Sequence, residues 1–429
     1  YKILELQPSP DYESEQFFWK PLIAAHTNSI ADPEIEVVGV AASAAEAREL
    51  LKTLKPDLLT LDIEMPRMNG VDFLKELMQT APLPVIMVSS LDVRVFDILA
   101  AGAIDFCAKP KSNSPADTEE FYAELREKIK GGAKAKLRVP TAKKVVPKTI
   151  SVANATASFQ QTRQNDIVVA GAKVIAIGAS TGGTEAIVEV VKNLPTNLPG
   201  IVVVQHMPEG FTRMFAERLN KLAAVSVKEA ENGDPILPGT VLIAPGGLQL
   251  SVEKKGMGLA VKVAPGPKVS GHCPSVDHMF HSVAANAGKF AVGGILTGMG
   301  GDGAEGLLAM RNAGAYTIGQ DKESCVVYGM PMVAYNKGAV CKQLTLTKIG
   351  NEHPTIFEII IVISNVKLTT VATINVTLST NINFIRLTTA RVNPQRIATL
   401  NSFQTALKKS DYSKMPLQMK NKNHPPDIR

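Results

Sequence analysis

The sequence is poor in aromatic residues, which make up 5% of it, with a single tryptophan. Its cores must therefore be built from aliphatic side chains. Cysteine is scarce too: Cys107, Cys273, Cys325 and Cys341 lie far apart, and no pair has the CxxC spacing. That excludes a disulfide framework and suits a reducing cytosol, so a cytoplasmic protein is expected. No apolar run approaches the length of a membrane span, and Ile359-Ile360-Ile361-Val362-Ile363 is only strand-sized. Residues 1–31 lack a basic stretch leading into a long apolar one, so they do not read as a secretory leader. An overall charge bias is also missing from the body of the chain. The net +6 resides in residues 351–429, where ten Lys/Arg face four Asp/Glu. The rest balances at zero, and nothing in it demands nucleic acid or membrane insertion.

What is present is alternation. Ile35–Val40 reads as a strand and Ala45–Leu51 as a helix. Leu58–Leu61 is an apolar strand ending at Asp62, Val71–Met78 returns to a helical period, and Pro84–Val88 is a buried strand followed by Ser89. Residues 131–173 break the pattern with eight Lys/Arg against Asp166 alone, the composition of a solvated linker that lets flanking domains touch or separate. Alternation resumes in Val174–Ile177, Ile201–Val204, Val241–Ala244 and Gly294–Thr297, with helical periods such as Glu185–Val191, Phe215–Leu222 and Val276–Ala287 between them. The expected fold class is α/β: two doubly wound parallel-sheet domains and a tail that fits neither. The expected boundaries are 1–125, a linker at 126–172, 173–350, and an unassigned tail at 351–429. In that tail Thr369, Thr370, Thr373, Thr377 and Thr380 suggest irregular strands.

Three polar residues end buried strands in the second domain. Ser180 lies in Gly178-Ala179-Ser180-Thr181-Gly182-Gly183, His206 follows Gln205, and Asp302 lies in Gly298-Met299-Gly300-Gly301-Asp302-Gly303. Each alone reads as a turn residue. In an open parallel sheet all three gather at one rim, where they could act as nucleophile, general base and orienting carboxylate. Two other patterns compete. Gly298-x-Gly300-x-x-Gly303, with Asp321 further on, spells a dinucleotide-binding turn, although Asp302 inside it would oppose a pyrophosphate. His272, Cys273, His278 and His281 have metal-like spacing, but no second Cys/His cluster accompanies them.

In the first domain, Asp62, Ser89 and Lys109 end adjacent strands. One carboxylate, one hydroxyl and one ammonium make a pocket suited to accepting a phosphoryl group.

GASTGG, QHMPEGF, IAPGG, PSVD and LTGMGGDGA, in this order, closely resemble the catalytic domain of the chemotaxis receptor methylesterases. The resemblance implies a triad of Ser180, His206 and Asp302. It places Thr181 and Met299 at the active site, with Met299 a backbone oxyanion donor. It implies hydrolysis of glutamate methyl esters on methylated receptors, a related glutaminase activity, and no cofactor for that chemistry. TLDIEMPRMNG, MVSS and AKP likewise resemble a response-regulator receiver domain. That implies phosphorylation of Asp62 by a histidine kinase, with Ser89 and Lys109 as switch residues and Mg²⁺ at the phosphorylation site, Asp62 among its ligands. Two features depart from the receiver pattern. The first strand, Ile3-Leu4-Glu5-Leu6, runs into Gln7-Pro8 where receivers carry an acidic pair; Asp11, Glu13 and Glu15 are out of pattern, and Pro10 and Phe17-Phe18-Trp19 are foreign to the expected first helix. The stretch Leu91–Gly102 is also a few residues short. The expectation is a receiver-regulated protein-glutamate methylesterase. The alternatives are a nucleotide-binding oxidoreductase and a non-catalytic regulatory module.

Overall fold

The computed structural model describes residues 1–7, 32–63, 65, 67–89, 95–110, 112, 114–137 and 173–349, together with the backbone of 385–389 and 417–421. By internal contact the chain forms two compact units, Tyr1–Asn165 with Lys173–Pro354, and Asp166–Ala172 with Thr355–Arg429. In the second unit the described backbone is a parallel pair, β15 (Ile385–Thr389) and β16 (Leu417–Asn421). The tail threonines singled out above lie outside the described residues.

The first unit holds two parallel sheets. The N-terminal sheet has the order β2-β1-β3-β4-β5, from β1 (Lys2–Leu6), β2 (Glu36–Ala41), β3 (Leu58–Asp62), β4 (Val85–Ser89) and β5 (Asp105–Ala108). Every residue of β3 and β4 is buried, as a parallel sheet covered on both faces requires. The helices are α1 (Ala44–Leu54), α2 (Gly70–Thr80), α3 (Val95–Ala100) and α4 (Pro115–Gly132). Their starts are written in the chain. Ser43, Asn69 and Ser114 each accept a backbone N–H from the first turn, and Pro115 follows its cap directly. The boundary expected at 125/126 falls inside α4, because Leu125 and Ile129 keep the helix seated on the sheet's core.

The second sheet has seven parallel strands in the order β14-β13-β12-β6-β7-β9-β8. They are β6 (Val174–Ala179), β7 (Gly200–Gln205), β8 (Ser226–Glu229), β9 (Thr240–Ile243), β12 (Ala291–Ile295), β13 (Tyr316–Gln320) and β14 (Lys342–Leu344). A hairpin of β10 (Gln249–Lys255) and β11 (Gly258–Ala264) stands apart from them. The helices are α5 (Gly183–Val191), α6 (Phe211–Leu222), α7 (Val276–Asn286), α8 (Ala304–Asn312) and α9 (Met330–Asn336). In α7, Val276, Met279, Phe280 and Val283 are buried at helical spacing, so one face of the helix enters the core. β12 starts earlier than the strand expected at Gly294–Thr297 and ends at Ile295. Gly293 belongs inside it: a Cβ there would lie 2.6 Å from Leu307 Cδ1 of α8, so glycine permits the helix to close on the strand.

Strand order positions the site. Chain progression reverses on either side of β6, whose neighbours are β7 and β12. Ligands and reactants bind at such a switch point, beyond the carboxyl ends of the strands. Ser180 follows β6, His206 follows β7, and Asp302 lies in the loop after β12.

Candidate active site at the rim of the seven-stranded sheet

Ser180 occupies a turn held on every side by hydrogen bonds. Its N–H donates to Thr297 O at 3.0 Å, and its carbonyl accepts the buried Gln205 side-chain amide at 3.0 Å. Gly182 adopts φ 74°, a left-handed conformation that favours glycine, and α5 starts directly after it. The Gly298 backbone approaches so closely that a Cβ there would sit 2.8 Å from Ser180 Cβ. Gly298 is therefore explained by two loops pressed together, and Gly178 by the approach of Val276. The second loop is itself pinned: Gly298 N donates to Val327 O, and Gly298 O accepts from Gly329 N and Met330 N. Met299 follows this anchored residue directly.

His206 and Asp302 are hydrogen-bonded, Nε2 to Oδ2, at 2.8 Å. Their side chains are 9% and 1% exposed, so water screens the pair little. Asp302 also accepts Ser275 Oγ–H at 2.8 Å, Val276 N–H at 2.7 Å and Asp277 N–H at 2.9 Å. Two of these donors belong to the N-terminal turn of α7, whose dipole favours an anion. Burial pushes the Asp302 carboxyl upward. The His206 hydrogen bond and charge and the Asp277 and Val276 N–H groups outweigh it, and hold the carboxyl at about 2. Asp302 is thus a carboxylate throughout the neutral range. The opposite ring atom of His206, Nδ1, is buried and makes no hydrogen bond with the described residues. No hydrogen bond joins Ser180 to His206, a looseness usual before substrate arrives. The Asp-facing nitrogen is Nε2 and the open one Nδ1, the reverse of the chymotrypsin arrangement.

Thr181 is 2% exposed, and its hydroxyl donates to Asp105 Oδ2 at 2.6 Å. Asp105 belongs to β5 of the first sheet, so the residue after Ser180 is tethered to the N-terminal domain. Gly182 N donates to Ile104 O at 3.2 Å. Phe106 packs on Phe211 with ring centroids 4.6 Å apart, and Phe96 on Phe215 at 5.5 Å. Gly131 of α4 lies under Met299 so closely that a Cβ there would overlap the thioether. The N-terminal domain therefore rests directly on the residues around the serine.

The two competing patterns resolve into structural roles. Asp302 in the glycine-rich turn is consumed by His206 and α7. Asp321 accepts from Ser324 N–H at 3.0 Å and Ser324 Oγ–H at 2.6 Å within its own turn. The Asp302 anion inside the turn would repel a pyrophosphate, and Asp321 is engaged by Ser324, so the nucleotide-binding reading is not favoured. His272 stacks on His206 instead of joining Cys273, His278 and His281. None of the four cysteines forms a disulfide.

At the rim of the first sheet, Lys109 Nζ lies 3.1 Å from Asp62 Oδ2, with both side chains almost fully buried. Ser89, 4% exposed, ends the neighbouring strand β4. The structure thus brings the three expected residues to one edge. Among the described residues no three His, Cys, Asp or Glu side chains gather as metal ligands. β1 closes on Leu6 and Gln7, and burial pushes the Glu5 carboxyl up to about 7, where it holds a proton through much of the neutral range. Asp11, Glu13 and Glu15 lie outside the described residues.

A serine beside a buried histidine–carboxylate pair, capped by a flavodoxin-like domain with a buried Asp–Lys edge, defines a regulated hydrolase. Residues 175–353 match the family described as CheB methylesterase, and residues 20–116 match the response regulator receiver domain. A protein-glutamate methylesterase/protein-glutamine glutaminase of Syntrophomonas wolfei is 54% identical over 320 residues, spanning 74% of this chain and 89% of the relative. The Escherichia coli K12 protein of the same description is 46% identical over 323 residues, spanning 74% and 88%. The Thermotoga maritima CheB methylesterase catalytic domain is 36% identical, with a TM-score of 0.41, covering 45% of this chain and 98% of that one. The response regulator domain of Thermotoga maritima CheB is 34% identical, with a TM-score of 0.27, covering 32% and 97%. The chain belongs to the receiver-regulated protein-glutamate methylesterase family.

Sequence reasoning identified the strand-end residues, read His272 only as a metal-like pattern, and missed Ser275, Gln205 and Asp105. PSVD carried a signal for Ser275, a helix N-cap serine that accepts His278 N–H while its own hydroxyl serves Asp302.

Proposed function

We propose that this chain hydrolyses glutamate methyl esters on chemotaxis receptors, and deamidates receptor glutamines, at Ser180, His206 and Asp302. The observation that carries the reading is the buried His206–Asp302 pair with an open Nδ1 at the same rim as Ser180. Nδ1 takes the Ser180 proton as Oγ attacks the ester carbonyl carbon. The oxyanion is received by the Met299 N–H on its pinned loop, with Thr181 flanking the nucleophile. Collapse breaks the bond to the methoxy oxygen, which leaves as methanol with the proton from His206. Water then gives its proton to Nδ1 and attacks the acyl carbon. Ser180 regains that proton from Nδ1, and the receptor glutamate leaves as carboxylate, giving up the second water proton to solvent. With a glutamine side chain the leaving group is ammonia. No cofactor enters these steps. A serine-directed phosphonate probe is expected to label Ser180 in the native fold and not after denaturation; no labelling of the folded chain would remove the nucleophile from this reading.

The receiver is the cover. Asp105 holds Thr181, and α4 sits against Met299. Losing the Asp105 acceptor removes a hydrogen bond to a charged group. Asp105→Ala is therefore expected to raise basal methanol release about tenfold if activity tracks the uncovered population. An unchanged basal rate would exclude this contact from the switch. Asp62 is the proposed acceptor for a phosphoryl group from a histidine kinase, with Lys109 balancing the charge and Ser89 contacting the phosphoryl oxygens. Label from a small-molecule phosphoryl donor supplied with Mg²⁺ is expected on Asp62 and absent in Asp62→Asn. A chain that takes no label would carry its receiver as a fixed cap. Among the described residues no helix is long and apolar enough to cross a membrane. We place the protein in the cytoplasm, where receptor glutamates and kinase are both within reach.

A further inference from the structure

The ring of His272 lies face to face with that of His206, centroids 3.7 Å apart and planes 16° apart. The chain goes to some length to put it there. Ser270 and Gly271 both take positive φ, 51° and 86°, in a two-residue turn closed by reciprocal bonds between Val269 and His272. Beyond the turn, the buried Gln249 side chain donates to His272 O at 3.2 Å and accepts from Ser275 N–H at 2.9 Å. Gly247 N donates to Cys273 O at 3.2 Å. The segment from His272 to Ser275 is thus clamped at both ends. One end stacks on the base, and the other hydrogen-bonds the carboxylate that orients the base.

We infer that His272 is a positioning residue for His206: its stacked ring fixes the imidazole plane on Asp302 and supplies a neutral π face to the imidazolium formed during turnover. The inference rests on the reading of Ser180, His206 and Asp302 given above. Planarity matters because His206 has one hydrogen-bonded nitrogen, and a single bond leaves the ring free to swing about it. A flat partner at van der Waals distance removes that freedom without competing for Nδ1. The charge argument has the same sign. A cation over a π face is attracted, and the attraction exists only while His206 is protonated, so it favours the transition state over the resting enzyme. The ring must itself stay neutral to do this. Burial, then the neighbouring His206, hold its pKa down to about 3, against the opposing pull of Asp302; Lys128 and Lys268 push the same way as His206.

The test compares full-length His272→Ala, His272→Phe and Ser180→Ala with the parent chain, measuring methanol release from methylated receptor and thermal stability. His272→Ala is expected to lower kcat about tenfold, the worth of roughly 1.4 kcal/mol, with KM within about twofold by the transition-state argument above. His272→Phe keeps a flat neutral ring and is expected to recover most of the loss. A parental kcat in His272→Ala overturns the inference, as does a folded His272→Phe no better than His272→Ala. Ser180→Ala separates the two levels. If it stays active the site itself is misassigned; if it is dead while His272→Ala is unimpaired, only the role of His272 falls.

Discussion

Ser180→Ala is expected to lower kcat for methanol release by about 10⁶-fold, the scale seen when the nucleophile of a triad hydrolase is removed. The structure makes this a clean experiment. Ser180 Oγ takes part in no hydrogen bond with the described residues, so truncation strands no buried partner. What holds the turn is backbone: Ser180 N to Thr297 O, and Gln205 to Ser180 O. Alanine preserves both bonds. The stability change is expected to stay within about 0.5 kcal/mol. Receptor binding should be little altered, because the Met299 loop and the domain surfaces are untouched. The residual rate measures what the oxyanion site achieves alone. Methanol release at the parental rate from a folded Ser180→Ala chain would sink the serine mechanism.

How much of this site could be read from the chain alone depends on which residues report through local pattern. Ser180, His206 and Asp302 follow apolar strands or lie in the loop after one, and a parallel sheet gathers strand ends at one rim whatever the details. Asp62 and Lys109 are legible for the same reason. His272 is not, because it lies outside the sheet on a turn whose position depends on the β10–β11 hairpin and on Gln249. Its spacing to Cys273 and His278 suggests metal ligation, and only the fold shows its ring turned to His206. Asp105 is invisible for a different reason. It looks like a polar residue starting an edge strand, and its partner Thr181 is seventy-six residues away in the other domain. Secondary structure fared similarly. The apolar pattern places a strand at Gly294–Thr297, whereas β12 starts at Ala291 and includes Gly293, which admits Leu307.

Asp302→Asn is expected to cost about 10⁴-fold in kcat, the scale found for the equivalent change in a serine protease. The reason lies in the four donors that converge on the carboxylate. Oδ2 accepts from His206 Nε2 and Val276 N–H, and Oδ1 from Ser275 Oγ and Asp277 N–H. An asparagine has one oxygen and one NH₂, so whichever way it turns, its NH₂ opposes a backbone N–H of α7. Turned with nitrogen toward His206, it also forces the proton onto Nδ1, and the base loses the lone pair that Ser180 needs. Turned the other way it keeps the tautomer but cannot balance the imidazolium. Stability should report the same carboxylate through pH. The folded value of about 2 lies below the ordinary aspartate value of about 3.9. The contribution from Asp302 is therefore complete above about pH 4 and is lost as pH falls toward 2. It amounts to about 2 kcal/mol, to order of magnitude. Asparagine does not titrate, so denaturant titrations of the two proteins should differ most at neutral pH and converge below pH 4. A difference that does not change between pH 7 and pH 2.5 would mean that Asp302 is not held as a carboxylate, and His206 would then lack the counter-charge on which the mechanism depends.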